Sequence, residues 1–391
     1  MINNRHIPAV PGWKKPKTLD LNRNEDAQVL DKLIAQGKVR FVSDKVHSAI
    51  EELYHIENPS QIDQLDQAAF DSYLQGFGGG DLSKYGVWVY YPWNLTVVHF
   101  PPQEDLSRLR GSRNRNLISD NERQVLKDGK TIVVFGLSVG SNAVDSLLMQ
   151  GIGSRYVLVD MDQLDPTNLN RIRAAYDQVG VHKVDLVAKK ISELDPFIEQ
   201  VHYKQGVDEA SLDEILTKYQ PDILIDEIDS LRMKILIRLR AKEQKIPVLM
   251  ATDDGDDILL DVERYDLDDV PILHGILPQD VIDEILQNKQ MDRRQMGAII
   301  GHYFVNLENV PLRMIESLLE VGKSLPSWPQ LGGAAVLSGL YLAYASKKIL
   351  LGQDINSGRF LMGPEAQLNP AIQTDDYKNK KAEQIKKLTQ G

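Results

Sequence analysis

The sequence predicts an α/β fold in which a doubly wound, mostly parallel sheet follows an N-terminal α+β region. From residue 131 onward, short β-prone runs alternate with helical patterns. Strands are expected at 131–136, 156–160, 201–205, 222–226 and 246–251, and helices at 142–150, 183–194, 209–218 and 231–243. Strands separated by helices of this length are typical of parallel sheets. A final helix near 333–351 and an edge-strand candidate at 359–363 complete the pattern.

The first 106 residues follow a different pattern, so we predict an N-terminal accessory region of residues 1–106 and a main domain of residues 107–391. The stretch VWVYYPWNLTVVHF, residues 87–100, predicts a β-hairpin that turns at Pro92-Trp-Asn94. Residues 252–330 are less regular and rich in acidic side chains. We expect them to form an irregular insertion that serves substrate binding or a dimer contact.

Composition limits the classes of partner and of chemistry. With 42% hydrophobic residues among 391, the chain suits an ordinary globular protein. Its net charge of −11 argues against broad binding to nucleic acid or to anionic membranes, so we expect neither as a partner. The sequence has no cysteine, which excludes disulfides, cysteine-ligated zinc and a cysteine nucleophile. The polar N-terminus has no apolar signal segment, and we predict a cytoplasmic location.

The turn after the first main strand, in TIVVFGLSVGSN (131–142), has two functional interpretations. As G-x-S-x-G it is typical of the nucleophile elbow of a hydrolase, with Ser138 as the nucleophile. As a glycine-rich turn it is typical of a phosphate-binding fold, with Gly136 and Gly140 retained and Ser138 and Ser141 at other usual glycine positions. A plain structural turn is the third interpretation, and this stretch alone leaves all three open.

The second strand favours the nucleotide interpretation. Asp160 stands at the end of this strand, where doubly wound folds place an acidic group against a ribose hydroxyl. A dense set of polar side chains follows within a few residues: Asp162, Asn168, Asn170, Arg171 and Arg173. Arginine matches phosphate geometry in a bidentate manner, so this set indicates a triphosphate clamp rather than a simple polar loop.

Three motifs in this order resemble the ThiF/MoeB/HesA group of ubiquitin-activating (E1-like) adenylyltransferases. The first is the run from Asp160 to Arg171, DMDQLDPTNLNR, which matches the group's D-x-D-x-(V/L)-x-x-x-N-L-x-R. The second is Gly180-Val-His-Lys183, and the third is LIDEIDS, with Asp226 and Asp229 in a D-x-x-D spacing. The resemblance covers roughly residues 107 to 363 and implies a Rossmann-like adenylation fold.

The resemblance implies the residues and cofactors of the site. ATP and Mg²⁺ are the implied cofactors, and the implied ATP contacts are Gly136, Ser138, Gly140, Asp160, Asp162, Asn168, Arg171 and Lys183. Arg171, Lys183 and Asp229 are the implied catalytic residues, and Asp229 is the implied metal ligand. Arg115 is the implied equivalent of an N-terminal arginine that reaches the ATP of the partner subunit, so the resemblance also implies a homodimer.

The implied reaction is Mg-ATP-dependent activation of a carboxylate, on a peptide, small protein or small molecule, as an acyl-adenylate. Because the chain has no cysteine, it cannot form the thioester of ubiquitin activation, and another nucleophile must capture the adenylate. Two alternatives stay open. The reduced number of glycines in the turn fits a non-catalytic ATP- or AMP-binding subunit, and Ser138 fits a serine hydrolase.

Two stretches, 87–100 and PVLMATDDGDDILLDVERYD at 247–266, also resemble a sub-branch sometimes labelled MoeY. That resemblance implies a nitroreductase-like flavin protein as a partner. The acidic run Asp253-Asp-Gly-Asp-Asp257 is expected either to bind a cation or an amine, or to be an exposed acidic turn. His274 is expected to be a buried structural histidine or a substrate contact.

Overall fold

The computed structural model describes residues 10–288, 299–304 and 307–390. The chain divides into two compact units. Unit 1 contains residues 1–127, 148–152 and 185–199, and unit 2 contains residues 128–147, 153–184 and 200–391. The domain boundary at residue 106 stays a prediction. Residues 1–9 of the predicted accessory region, and 289–298 and 305–306 of the predicted insertion, lie outside the described residues.

Unit 1 contains a four-stranded sheet of order β1-β3-β4-β2. Its strands are β1 (Lys17–Leu19), β2 (Phe41–Asp44), β3 (Val87–Tyr91) and β4 (Thr96–Phe100). Its helices include α1 (Asn24–Ala35), α2 (Val46–Glu57), α3 (Gln67–Leu74), α4 (Gln103–Gly111) and α5 (Asp120–Lys127). Strands β3 and β4 pair antiparallel, which confirms the predicted hairpin.

The hairpin of unit 1 buries both of its faces because neighbouring residues of a strand point to opposite sides. Trp88 and Tyr90 pack in a cluster with Leu19 of β1 and Leu33 of α1. Val89 and Tyr91, which alternate with them, pack in a second cluster with Phe100 and Leu106. The aromatic composition of the hairpin is therefore explained by two cores, one on each face.

Unit 2 contains a seven-stranded sheet of order β11-β10-β9-β8-β5-β6-β7. Its strands are β5 (Thr131–Phe135), β6 (Arg155–Val159), β7 (Glu199–Tyr203), β8 (Ile223–Asp226), β9 (Val248–Asp254), β10 (Asp257–Glu263) and β11 (Gly358–Met362). β5 is parallel to both β6 and β8, and β8 is parallel to β9. This arrangement confirms the predicted α/β fold with a mostly parallel sheet, and β11 lies at its edge as predicted.

One strand of this sheet was not predicted from the sequence. β10 lies inside the stretch expected to be irregular, pairs antiparallel with β9 and with β11, and is buried at every position. Three of its seven residues are acidic: Asp257, Asp261 and Glu263. Buried acids break the apolar pattern that marks a strand, and their partners are distant in sequence, so the pattern alone indicated a polar loop.

The helices along the rest of the chain are α6 (Gly140–Met149), α7 (Lys183–Leu194), α8 (Glu209–Tyr219), α9 (Leu231–Gln244), α10 (Gln279–Gln287), α11 (Leu312–Leu318), α12 (Gly332–Leu350), α13 (Pro364–Leu368) and α14 (Asp375–Gln390). In unit 2, one face of β5 packs through Val133 and Phe135 in a cluster with Leu212 of α8 and Ile237 of α9. Within the described ranges, no helix combines the length and apolar character needed to span a membrane.

Candidate functional site

The order of the parallel strands reverses between β5 and β8, and folds of this class bind ligands at such a point, at the carboxyl ends of the strands. The first turn lies there, directly after β5. Gly136 has a φ of +82°, and a Cβ on it would lie 2.3 Å from the carbonyl oxygen of Glu227. A Cβ on Gly140 would lie 2.8 Å from Cγ1 of Val134. The two glycines that the turn retains are therefore those that its close packing requires.

Asp160, at the end of β6, ties this turn to the loop that follows β6. Its side chain is buried, and its Oδ2 accepts a hydrogen bond from the backbone N of Leu137 at 2.7 Å. Its Oδ1 accepts one from the backbone N of Asp162 at 2.8 Å. A carboxylate oxygen accepts more than one hydrogen bond, so Asp160 can still receive two ribose hydroxyls while it holds the turn.

Arg171 is fixed above the first turn by three hydrogen bonds. Its Nε donates to Oγ of Ser138 at 2.9 Å, and its Nη1 donates to Oδ1 of Asn170 at 2.9 Å and to the carbonyl of Thr167 at 3.3 Å. In the described part of the chain, no hydrogen-bond partner is found for Nη2. The guanidinium is thus oriented by the protein and keeps one donor edge for a ligand.

Charge and burial at Arg171 also favour an anionic ligand. Burial lowers the pKa of its guanidinium, and the charges of Asp253 and Asp229 oppose that shift. Ser138 receives a hydrogen bond from a permanently charged guanidinium, which cannot act as its general base. The interaction therefore disfavours the nucleophile-elbow interpretation and gives Ser138 a positioning role.

Asn168 lies in the loop that follows β6, and Lys183 is the first residue of α7. Nζ of Lys183 lies 2.8 Å from Oδ2 of Asp162, and the lysine is only 7% exposed. Oδ1 of Asn168 accepts a hydrogen bond from the backbone N of Asp165 at 3.1 Å. Lys183 is therefore placed with Asp160 and Arg171 on one connected loop. Asn168 builds that loop, and its contact with phosphate stays a prediction.

The two aspartates after β8 have different environments. Asp226 is fully buried and forms ion pairs with Arg238 and with Lys234, the latter at 3.4 Å. Burial would raise the pKa of Asp226, but these two cations outweigh it and hold the pKa below its usual value. Asp229 is exposed, and its charge is felt by Arg171. Asp226 is therefore structural, whereas Asp229 is available to a ligand.

The side chains that could ligate a metal together with Asp229 bear on its implied metal role. No group of three or more His, Asp or Glu side chains suited to a metal ion occurs among the residues that the structure describes. Mg²⁺ is commonly bound through one or two carboxylates together with substrate phosphates and water. The single exposed carboxylate of Asp229, near Arg171, fits that mode and does not fit a resident, protein-caged metal.

Arg115 lies in unit 1, directly after a short 3₁₀ turn (Ser112–Asn114). Its Nη2 lies 3.6 Å from Oδ2 of Asp120, and both side chains are more than half exposed. Exposed pairs of this kind contribute about 0–1 kcal/mol, so the guanidinium can be drawn to another anion at little cost. Its contact with a partner subunit's ATP stays a prediction.

Sequence analysis missed the contribution of helix α12. A Cβ on Gly332 would lie 2.1 Å from the carbonyl oxygen of Asn170, and a Cβ on Gly339 would lie 2.4 Å from the carbonyl carbon of Asn142. The helix therefore packs its backbone directly against the loop of residues 160–171, called the arginine loop below, and against the start of α6. The side chain of Asn142, 2% exposed, donates to the carbonyl of Arg171 at 3.1 Å. The sequence signal that could have indicated this close packing is the pair Gly332 and Gly339, seven residues apart in a helical pattern.

The acidic run of residues 253–257, at the turn from β9 to β10, differs from one of its two expected forms, the exposed acidic turn. Asp253, Asp254 and Asp257 are buried, so the expectation of an exposed acidic turn is wrong for these three. Asp257 accepts hydrogen bonds from the backbone N atoms of Glu365 and Ala366, at 2.8 and 3.0 Å, and so caps α13. The turn is a hairpin between β9 and β10 that folds its carboxylates inward.

His274 lies in a short 3₁₀ turn, and its backbone has a φ of +54°, unusual for a residue with a side chain. Its side chain is 14% exposed, with Nε2 3.4 Å from Oδ1 of Asp261. That same oxygen accepts a hydrogen bond from Nε of Arg359 at 2.7 Å. His274 is thus mostly buried beside an ion pair, which favours the structural interpretation.

Together, the strand order, the first turn and the arginine loop define a doubly wound, nucleotide-binding class of α/β domain. Comparison with known families then gives the particular group. Residues 111–254 match the ThiF family. This match bears out, over these residues, the resemblance of the motifs to the ThiF/MoeB group. The place of the chain in the MoeY-like branch stays a prediction.

Two relatives and one solved structure illustrate the similarity. The "Uncharacterized protein MT1398" of Mycobacterium tuberculosis is 33% identical over 285 residues, which are 72% of this chain and 38% of that protein. The tRNA threonylcarbamoyladenosine dehydratase of Bacillus subtilis is 32% identical over 165 residues, 42% of this chain and 63% of that protein. This chain thus spans less than two thirds of either relative.

The solved structure is that of the Escherichia coli tRNA N6-threonylcarbamoyladenosine dehydratase TcdA in complex with AMP. It has a TM-score of 0.44 and 20% identity, and the match covers 63% of this chain and 96% of that one. At this level of similarity, the comparison carries no argument about ligand or activity.

Proposed function

We propose that this chain binds Mg-ATP at the carboxyl edge of β5, β6 and β8 and adenylates the carboxylate of a peptide or small molecule. The observation that carries the proposal is the hydrogen bonding of Arg171. Its Nε and Nη1 donate hydrogen bonds to the protein, whereas its Nη2 donates none to any described residue. A half-buried, oriented arginine with one unused edge is suited to a phosphate oxygen.

The rest of the proposed nucleotide site surrounds that arginine. Helix α6 begins at Gly140, and the positive end of its dipole favours phosphate. Asp160 has remaining acceptor capacity for the ribose, and Lys183 is held by Asp162 on the same loop. These contacts support a bound nucleotide with its phosphates beside the first turn.

The proposed chemistry needs charge neutralisation more than proton transfer. An oxygen of the substrate carboxylate, already ionised at pH 7, forms a bond to the α-phosphorus. The bond from that phosphorus to the bridging oxygen breaks, and its electron pair leaves with pyrophosphate. Arg171 and Lys183 would neutralise the charge that develops on the phosphates. Mg²⁺ held by Asp229 would supply further neutralisation of the triphosphate.

The product adenylate needs a nucleophile from elsewhere. Because this sequence contains no cysteine, the nucleophile is proposed to come from the substrate itself or from a partner protein. The Bacillus relative is named for a tRNA nucleoside. The net charge of −11 on this chain favours a peptide or small-molecule carboxylate instead, since binding to tRNA needs surplus positive charge.

We also propose a homodimer in which Arg115 reaches the nucleotide of the partner subunit. Its exposure and weak ion pair with Asp120 support this role. A nitroreductase-like flavin protein as a partner and a cytoplasmic location stay predictions from the sequence. The alternative of a non-catalytic ATP or AMP binder predicts nucleotide binding with neither AMP nor pyrophosphate formed.

Pyrophosphate–ATP exchange tests the proposal. We expect exchange that depends on added carboxylate substrate, and we expect Asp229→Ala to reduce it at least about 100-fold, because a metal-held phosphate charge is then uncompensated. Asp256→Ala, an exposed acid in the β9–β10 turn, is the matched control and should leave exchange unchanged. Full exchange in Asp229→Ala would refute the metal assignment, and nucleotide binding without exchange across varied carboxylates would refute adenylation.

A further inference from the structure

Asp253, the second-last residue of β9, has an incomplete set of partners. It is 6% exposed, and its Oδ1 accepts a hydrogen bond from Oγ of Ser338 on α12 at 2.9 Å. Its Oδ2 is fully shielded from solvent and has no hydrogen-bond partner within normal distance among the described residues. A buried carboxylate oxygen without a partner is costly, so the site calls for an explanation beyond packing.

Two charged groups, Arg171 and Glu227, and two neutral polar side chains, Ser338 and Gln330, interact with Asp253. Burial raises the pKa of Asp253 to about 6, while Ser338, Arg171 and the side chain of Gln330 oppose the shift. Glu227, in the loop after β8, also senses the charge of Asp253. Arg171 is the one cation among these groups. The same arginine keeps a donor edge for a ligand phosphate, so the two anions would share it.

We propose that Asp253 is the resting counter-ion of Arg171 and takes up a proton when a nucleotide phosphate engages that arginine. This inference rests on the proposed nucleotide site. Bound phosphates bring negative charge to Arg171, and a carboxylate sealed from water has no solvent to screen the repulsion. Protonation of Oδ2 removes the repulsion and leaves the hydrogen bond from Ser338 in place. Asp253 acts through Arg171 and is therefore a positioning residue.

The sign of the pH dependence follows from linkage. Bound phosphate raises the pKa of Asp253 above its resting value of about 6, so the complex holds more protons than the free protein near neutral pH. Binding must then weaken as pH rises through this window. If the pKa in the complex is about 7.5, affinity falls about tenfold between pH 6 and pH 8.

Isothermal titration calorimetry with magnesium and AMPCPP, an ATP analogue that cannot be split between its α- and β-phosphates, tests this inference. At pH 7, titrations in buffers of different ionisation enthalpy measure the protons taken up on binding. We expect more than about half a proton per nucleotide in the wild type and none beyond the nucleotide's own titration in Asp253→Asn. Asp253→Asn should also bind with little dependence on pH.

Asp254→Asn is the matched control. Asp254 is the adjacent residue and is also buried, and its pKa is also raised, to about 7. Its charge is felt by Asp257 and by Lys381 of α14 rather than by Arg171. Successive residues of a strand point to opposite faces, so this variant should keep the proton uptake of the wild type.

The outcomes separate this inference from the proposed function. Nucleotide binding with equal proton uptake in wild type and Asp253→Asn, or with wild-type affinity that does not fall from pH 6 to pH 8, overturns the inference and leaves the nucleotide site standing. Absence of nucleotide binding overturns both. Should Asp253→Asn fail to fold, Ser338→Ala gives a second test. Loss of its hydrogen bond raises the resting pKa of Asp253, so proton uptake at pH 7 should decrease.

Discussion

Two arginines in unit 2 show how the same side chain serves stability in one place and binding in another. Arg238 on α9 is fully buried, with Nε donating to Oε2 of Glu263 at 2.6 Å and Nη1 donating to Asp226. Arg171 is held at two of its three nitrogen atoms by neutral oxygen atoms, and its third is unused. Complete pairing inside the protein marks a structural charge, whereas incomplete pairing at a strand end marks a charge reserved for a ligand.

The network around Arg238 extends this comparison. Glu263 also accepts hydrogen bonds from Tyr265 and, at 2.6 Å, from the backbone N of Leu273. Leu273 has a φ of +49°, an unfavourable value for a leucine. The buried acid therefore fixes a strained turn as well as neutralising the arginine. Each charge in this network has a partner among the described residues.

The largest expected effect is on stability, from Arg238→Ala. Removal of this cation leaves Asp226 and Glu263 buried without a counter-charge, and we expect a loss of about 3–5 kcal/mol in the free energy of unfolding. Urea denaturation measures it. Arg240→Ala, which breaks an exposed pair on the same helix, is the control and should cost less than about 1 kcal/mol. Similar losses in the two variants would contradict the structural role of Arg238.

Arg171→Ala should give the converse result. We expect pyrophosphate–ATP exchange to fall about 100- to 1,000-fold, because one donor to the developing phosphate charge is lost. The free energy of unfolding should change by less than about 1.5 kcal/mol, since the bonds lost are three neutral-acceptor hydrogen bonds in a half-buried setting. Arg171→Lys separates charge from geometry and should recover only part of the activity. Pyrophosphate–ATP exchange at the wild-type rate in Arg171→Ala would contradict the proposed role of Arg171 in binding a ligand.

The smallest effect concerns Asp254, a buried carboxylate that forms no hydrogen bond with a described residue. Burial raises its pKa to about 7, with Asp257 adding to the shift. The folded protein therefore binds this proton more tightly than the unfolded chain does. Stability from this group is present at low pH and is lost progressively as pH rises from about 4 to 8, with about 2.5 kcal/mol of the loss between pH 5 and pH 8.

Asp254→Asn should remove that loss, so thermal unfolding at pH 8 should occur at a higher temperature than in the wild type. Asp256→Asn, exposed in the same turn, should keep the wild-type pH profile. Identical profiles for wild type and Asp254→Asn would show that Asp254 is ionised without cost, and that absence of a partner does not distinguish these acids.

The sequence predicted the fold where local pattern and tertiary position agree. The strands from β5 to β9 and the helices between them appear within a few residues of their expected bounds, because buried parallel strands are continuous apolar runs. β10 was not predicted, because its buried acids Asp261 and Glu263 are neutralised by Arg359 and Arg238, which are distant in the sequence. Such pairings arise only when the chain folds.

The candidate site shows the same division. Asp160 and Arg171, which the motif singled out, both contact the first turn, and their contacts with a nucleotide stay predictions. The motif did not predict that Ser138 would orient Arg171, because that contact joins the loop after β6 to the turn after β5. The sequence placed Asp253 only in an acidic run and did not predict its link to Arg171, since Ser338 and Arg171 belong to different elements.

The backbone contacts of α12 have a consequence for motion. At Gly332 and Gly339 this helix of 19 residues leaves no gap between itself and the chain at Asn170 and Asn142. The arginine loop therefore cannot swing outward alone, and its opening requires displacement of the whole helix. Movements of that size occur in microseconds to milliseconds rather than in the nanoseconds typical of a surface loop.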